Sequence, residues 1–206
     1  CVCRGLQVAE FLLQLLEAVA ARPVGLLLQR RPLDLQLHDA AGHLVELGRL
    51  TDCDTGGYDG YLEALRRRRA AFRAMGATST DHGHPSARTA DLDPAAARVL
   101  YRRVATVDCT PEDADLFRAH MLTVMAGMSL EDGMVMQLHP GSFRNHNPWL
   151  FGRFGRDRGA DIPQRCDYVH ALKPLLDRYG NERDLTLILF TLDESNYARE
   201  LAPLAG

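Results

Sequence analysis

The sequence predicts an α/β fold with parallel strands, and three observations carry that reading. From Thr110 onward, helix-period and strand-period segments alternate as helix, strand, helix, strand, helix. Residues 185–192 form a continuous apolar run with two threonines, the pattern of a strand buried on both faces. Clusters of Asp, His, Arg and Asn follow the strand-like segments, where parallel α/β proteins gather functional groups. Two or three strands cannot close a barrel of eight, so the expectation is a barrel segment with helical insertions.

Residues 6–21 place Leu6, Val8, Phe11, Leu12, Leu15, Leu16 and Val19 at helical spacing, and Pro23 ends that helix. Residues 24–50 have no clear period; 25–28 read equally as strand or helix. A helix is expected over 58–75, with Tyr58, Tyr61, Leu62, Leu65 and Phe72 on one face and Gly76 as its stop. Residues 77–85 read as a short strand leading into a loop. Asp93-Pro94 pairs an N-cap with proline at the first helical position and opens a helix to Val104. Thr110-Pro111 repeats the device and opens a helix whose buried stripe is Ala114, Phe117, Met121, Val124, Met125 and Met128. Its methionines read as core filler. A strand over 134–138 runs into a long polar loop from His139. A helix over 164–179, the strand over 185–192 and a last helix over 195–204 complete the order.

A chain of 206 residues can bury a real core. Its net charge of -3 gives no polyanion-binding surface, so nucleic acid is not an expected partner. The run Arg66-Arg67-Arg68-Arg69 reads as a solvated helix face, because no aromatic residues interleave it. The five cysteines include no CxxC pair, which removes zinc-finger and thioredoxin readings. Their odd number favours a reducing compartment, and a cytoplasmic location is expected. No stretch of about 18 apolar residues suggests a membrane span.

Three strand ends carry candidate chemistry. In Asp81-His82-Gly83-His84, alternate imidazoles would share one side of a strand, which fits a metal pair. The pair alone is a weak signal, and a polar loop whose Asp81 and His82 bond the backbone fits it better. The second cluster runs from His139 to Asn147. An arginine fork at Arg144 suits a carboxylate, a neutral His139 suits proton transfer or metal binding, and Asn145 and Asn147 suit sugar hydroxyls. The set fits a small, anionic, polyhydroxylated ligand, or else a loop held by its own hydrogen bonds. Asp193 reads as a helix cap.

These residues also carry a resemblance. Thr78-Ser79-Thr80-Asp81-His82-Gly83-His84, Met136-Gln137-Leu138-His139-Pro140-Gly141-Ser142-Phe143-Arg144-Asn145-His146-Asn147 and Leu185-Thr186-Leu187-Ile188-Leu189-Phe190-Thr191-Leu192-Asp193 resemble successive strand-end motifs of the uronate (glucuronate) isomerase family, in the amidohydrolase superfamily. Phe151-Gly152-Arg153-Phe154-Gly155-Arg156-Asp157 and Gly159-Ala160-Asp161-Ile162-Pro163 match as well. The resemblance runs from Leu47 to the end. It divides the chain into a divergent, mostly helical segment at 1–45 and a partial barrel domain at 46–206, about strands four to six of the family's distorted (β/α)8 barrel.

The resemblance implies an intramolecular oxidoreductase that interconverts D-glucuronate with D-fructuronate and D-galacturonate with D-tagaturonate in bacterial hexuronate catabolism. It implies a hexuronate as the small-molecule partner, no membrane, and leaves a homo-oligomer open. It puts His139, Asp81 and His82 among the catalytic groups and Arg144, Asn145 and Asn147 at the substrate. It implies a divalent metal, commonly zinc, with His139 as the one candidate ligand in this chain. The family's His-x-His lies on its first strand, so His82-x-His84 is a look-alike. The first-strand histidines and the eighth-strand aspartate of the family are absent here. Two rival readings therefore stand beside the isomerase: a catalytically inactive fragment of it, or a metal-dependent hydrolase of the same superfamily.

Overall fold

The computed structural model describes residues 39–105, 109–155 and 158–205. Readings made for residues 1–38 and for Arg156-Asp157 lie outside them. The fold is mixed α/β around a three-stranded parallel sheet, as the alternation predicts.

Helix α1 (Asp39–Thr51) fills the stretch that has no clear period in the sequence. Leu44 and Leu47 are its buried residues in the core, and Thr55 Oγ1 donates back to the Leu44 carbonyl at 2.7 Å. Helix α2 (Tyr58–Ala74) follows the predicted stripe. Strand β1 (Ser79–His82) leads to α3 (Pro94–Val104), where the Asp93 carboxylate accepts from the Ala95 and Ala96 amides at 2.9 and 3.0 Å. Thr110 caps α4 (Pro111–Asp132) by accepting from the Asp113 amide at 3.1 Å. Each such cap contributes about 1 kcal/mol. Gly133 then ends α4 at φ +71°, a left-handed turn that glycine adopts without strain.

Strand β2 (Val135–Leu138) lies between β1 and β5 (Leu187–Leu189), parallel to both. The sheet has two unlike faces. Thr80, His82, Met136 and Leu138 are buried, and Leu187 and Leu189 pack against the same core as α4 and the helix over Tyr168–Tyr179. Asp81 and Ile188 face the other way and are exposed. Strand period two produces this division directly. It corrects one expectation: residues 185–192 are not buried on both faces, since Ile188, Phe190 and Leu192 are exposed. The reason is the face: Ile188 lies on the open side with Asp81, Phe190 and Leu192 keep its parity, and Leu187 and Leu189 on the other side pack against the core.

The predicted long loop after β2 contains more order than expected. Strands β3 (Ser142–Phe143) and β4 (Ile162–Pro163) pair antiparallel and flank α5 (Pro148–Phe154). Helix α6 (Tyr168–Tyr179) begins four residues later than the pattern suggests, because the Asp167 side chain accepts from the His170 amide and sets the start. The last expected helix is a π turn at Tyr197–Leu201 followed by α7 (Ala202–Ala205). Among the described residues, no helix is long and apolar enough to cross a membrane.

The arginine run needs a second correction. Arg66 and Arg67 do face solvent, pairing with Glu131 and Glu63. Arg69 is only 1% exposed and grips Asp132 through two bonds of 2.5 and 2.9 Å, with Ser129 at 3.1 Å. It falls four residues after the buried Leu65, on the core stripe itself.

Tyr58, Tyr61, Tyr101 and Phe117 form an aromatic core between α2, α3 and α4, with ring centroids 5.2 to 6.4 Å apart. The Tyr101 hydroxyl donates to the Thr55 carbonyl at 2.6 Å, and the Tyr58 hydroxyl bonds His120 at 2.8 Å. The Tyr61 hydroxyl is buried with no hydrogen-bond partner among the described residues. Its desolvation is uncompensated, so Tyr61→Phe should raise stability by about 1 kcal/mol in urea denaturation. A loss of stability in that variant would show that the hydroxyl has a partner.

Candidate active site

Parallel strands bring the carboxyl ends of β1 and β2 to one edge of the sheet. Asp81 lies opposite Gln137, and His139 follows one rung beyond β2. The His139 amide donates to the His82 carbonyl at 3.0 Å, so the ladder still holds where the site begins. Strand alternation then turns Asp81 and His139 toward the same open face. Their side chains meet there, with His139 Nε2 2.8 Å from Asp81 Oδ2.

A carboxylate only accepts hydrogen bonds, so this contact puts the proton of a neutral imidazole on Nε2 and leaves the lone pair on Nδ1. Asp81 is 58% exposed and His139 29%, so the pair is open to a ligand.

His82 stands on the opposite face. It is 1% exposed, and its Nε2 lies 3.1 Å from Thr80 Oγ1. Burial first, then the charges of Arg69 and His139, push its pKa down to about 3, which keeps the ring neutral. His84 is also buried, and burial followed by the charges of His82, Arg118 and His139 holds it well below the usual range. The structure thus joins Asp81 to His139 and separates His82 from both. Among the described residues, no three His, Cys, Asp or Glu side chains are placed to hold a metal ion. His82-x-His84 gathers no third ligand, and His139 contributes a single donor.

The loop after His139 is pinned at its base. The Gly141 amide donates to the His84 carbonyl at 3.3 Å, and the Gly141 carbonyl accepts from Gln164 at 2.7 Å. Gly141 has φ +81°, and a Cβ there would lie 2.4 Å from Cys166 Sγ, so only glycine fits. Pairing of Phe143 with Ile162 brings Asp161 beside Arg144, whose Nε lies 3.5 Å from Asp161 Oδ1. Arg144 keeps 41% of its side chain exposed. Asn145 is half-buried with a left-handed backbone, φ +55°. Asn147 is the N-cap of α5, its Oδ1 accepting from Trp149 and Leu150 at 3.0 and 3.1 Å. Asp193 holds a turn by accepting from the Ser195 amide at 3.1 Å.

Two residues at this site escape a motif-based reading. Gln137 shares the open face with Asp81 and His139, as counting back two positions from His139 along the strand would indicate. Gly83 lies against the His139 ring, a contact between strands that no local pattern announces.

The sequence pattern of the glucuronate isomerase family matches residues 29–206, beginning upstream of Leu47. The uronate isomerase of Sphingopyxis alaskensis is 68% identical over 164 residues, covering 80% of this chain and 35% of that protein. That of Phenylobacterium zucineum is 64% identical over 174 residues, covering 84% of this chain and 36% of that protein. The crystal structure of glucuronate isomerase from Caulobacter crescentus superposes with a TM-score of 0.78 at 56% identity, over 81% of this chain and 35% of that one. The chain therefore spans about a third of the length of the relatives it matches, and it belongs to the glucuronate isomerase family.

Proposed function

We propose that this chain supplies one wall of a uronate isomerase active site, for aldose–ketose isomerisation of D-glucuronate to D-fructuronate and D-galacturonate to D-tagaturonate. The observation that carries the reading is the Asp81–His139 pair, set on the open face at the carboxyl ends of parallel strands in a chain of this family. The three strands correspond on this reading to about the fourth to sixth of an eight-stranded barrel. Helices cover one face, and the open face is its interior. A cytoplasmic location fits an enzyme acting on a small hexuronate.

The reaction moves a proton between adjacent carbons through an enediolate. His139 Nδ1 takes or returns that proton, while Asp81 fixes the ring through Nε2 and offsets the imidazolium charge. Arg144 orients the uronate carboxylate, a planar anion its fork can bind through two hydrogen bonds. Asn145 contacts a sugar hydroxyl. Asn147 supports the loop by capping α5, and His82 supports β1 from beneath. A divalent metal would supply Lewis acidity in such a site. The described residues do not form a ligand set for one, so its remaining ligands would come from elsewhere in a protein of full family length.

The test is kinetic. In a protein of full family length carrying this segment, Arg144→Ala should lower kcat/KM at least tenfold, about 1.4 kcal/mol. His139→Ala should cost about 100-fold. Unchanged kinetics in both would remove the assignment. The three-stranded sheet, whose edges pair with no further strand among the described residues, favours a second reading, that the 206-residue chain alone is inactive. Uronate turnover by the isolated chain during a zinc titration would refute that one.

A further inference from the structure

The geometry points to Gly83 as the residue that positions the His139 imidazole against Asp81. A Cβ built on Gly83 would lie 2.7 Å from His139 Cε1, 3.3 Å from Nδ1 and 3.5 Å from Nε2. Its three nearest neighbours are thus all atoms of that one ring. Carbon atoms pack at about 3.5–4 Å, so a methyl group there displaces the imidazole. The backbone does not call for glycine, because φ of Gly83 lies outside the left-handed region. What calls for it is the close approach of the ring.

The backbone has little room to relieve the contact. The carbonyl before Gly83, that of His82, accepts from the His139 amide at 3.0 Å, and the carbonyl after it, that of His84, accepts from the Gly141 amide at 3.3 Å. The two strand ends are clipped together on both sides of Gly83. An alanine methyl therefore acts on the ring, and the ring leaves its 2.8 Å contact with Asp81. Gly83 and Asp81 are two residues apart on β1 and its extension. Together they fix where the imidazole lies and which nitrogen carries its proton.

This rests on the reading of His139 as the proton-handling group, and the test separates the two claims. In the uniformly 15N-labelled chain, long-range imidazole correlations report the protonated Nε2, and comparison with His139→Ala identifies the His139 signals. Gly83→Ala should shift or remove the Asp81-bound Nε2 signal, as Asp81→Asn does; an unaltered signal overturns the inference. In the full-length protein, Gly83→Ala should lower kcat about tenfold and change KM less than about threefold. Added to His139→Ala, it should cost less than about threefold more. A full multiplicative loss in that double variant also overturns the inference. If Gly83→Ala lowers the melting temperature, Gly83→Ala with His139→Ala should melt no lower than His139→Ala alone, since the methyl then has room; a further drop counts against the inference. A displaced signal with unchanged turnover would sustain the role of Gly83 and remove His139 from the proposed reaction.

Discussion

Arg69→Ala is expected to destabilise the fold by about 3–5 kcal/mol, the range for breaking a buried ion pair from one side. Arg69 is among the largest fully buried side chains of the protein. Its guanidinium is held by both Asp132 oxygens, by Ser129, and at 3.9 Å by Met125 Sδ. Removing it leaves a cavity between α2 and α4 and strands Asp132, which is only 17% exposed. Two further variants separate these costs. Arg69→Met keeps most of the volume, so its loss reports the stranded carboxylate. Adding Asp132→Asn to it removes that charge and keeps an oxygen for the Met134 amide, which now donates to Asp132 Oδ1 at 3.0 Å. The double variant should recover part of the loss. Urea denaturation measures all three, and an Arg69→Met within 1 kcal/mol of wild type would mean the pair contributes no net stability.

Mild acid should weaken the fold through its buried histidines. His82 and His84 are buried neutral, and burial holds both pKa values below the ordinary 6.5, that of His82 at about 3. Between its folded and unfolded pKa values each of these histidines binds fewer protons in the folded state than in the unfolded chain, so its contribution to stability falls as pH falls. Between pH 6.5 and 5 His82 alone costs about 1–2 kcal/mol, and His84 adds to the loss in the same direction. The loss from His82 levels off only near pH 3. His120, lowered chiefly by burial, pulls the same way. The carboxylates whose pKa values are lowered, Glu131 and Asp193 among them, act below this window. Urea denaturation at pH 7, 6 and 5 checks the slope, with His84→Gln expected to flatten it. A flat profile across that range would place both imidazoles in contact with water.

What the sequence disclosed was local. Asp93-Pro94 and Thr110-Pro111 were legible because a cap and a proline act within one turn. Asn147-Pro148 is the same device, and reading Asn147 only as a sugar contact hid helix α5 behind it. The Asp81 and His139 motifs were legible as strand ends, and parallel pairing explains their meeting. The opposite facing of His82 follows from period two, once β1 is known to continue through it. Arg69 was misread because four consecutive arginines suggest one environment, whereas a helix turns each about 100° from the last. The exposure of Ile188 depends on which face of the sheet is covered, and the contact between Gly83 and His139 on the pairing of two strands. Neither is written in any short window.

The bond between Asp81 and His139 spans 58 positions of the chain. No fragment confined to either side of α3 and α4 contains it, and no local helix formation creates it. It appears only after a long-range, parallel strand pairing, the slow kind of contact in folding. A slip of one residue in that pairing would exchange Asp81 with its neighbours, burying a carboxylate against Met136 and Leu138. The alternation Thr80-Asp81-His82 therefore works as a proofreading mark. The same charge that orients the imidazole penalises each register slipped by an odd number of residues, which would turn Asp81 into the core.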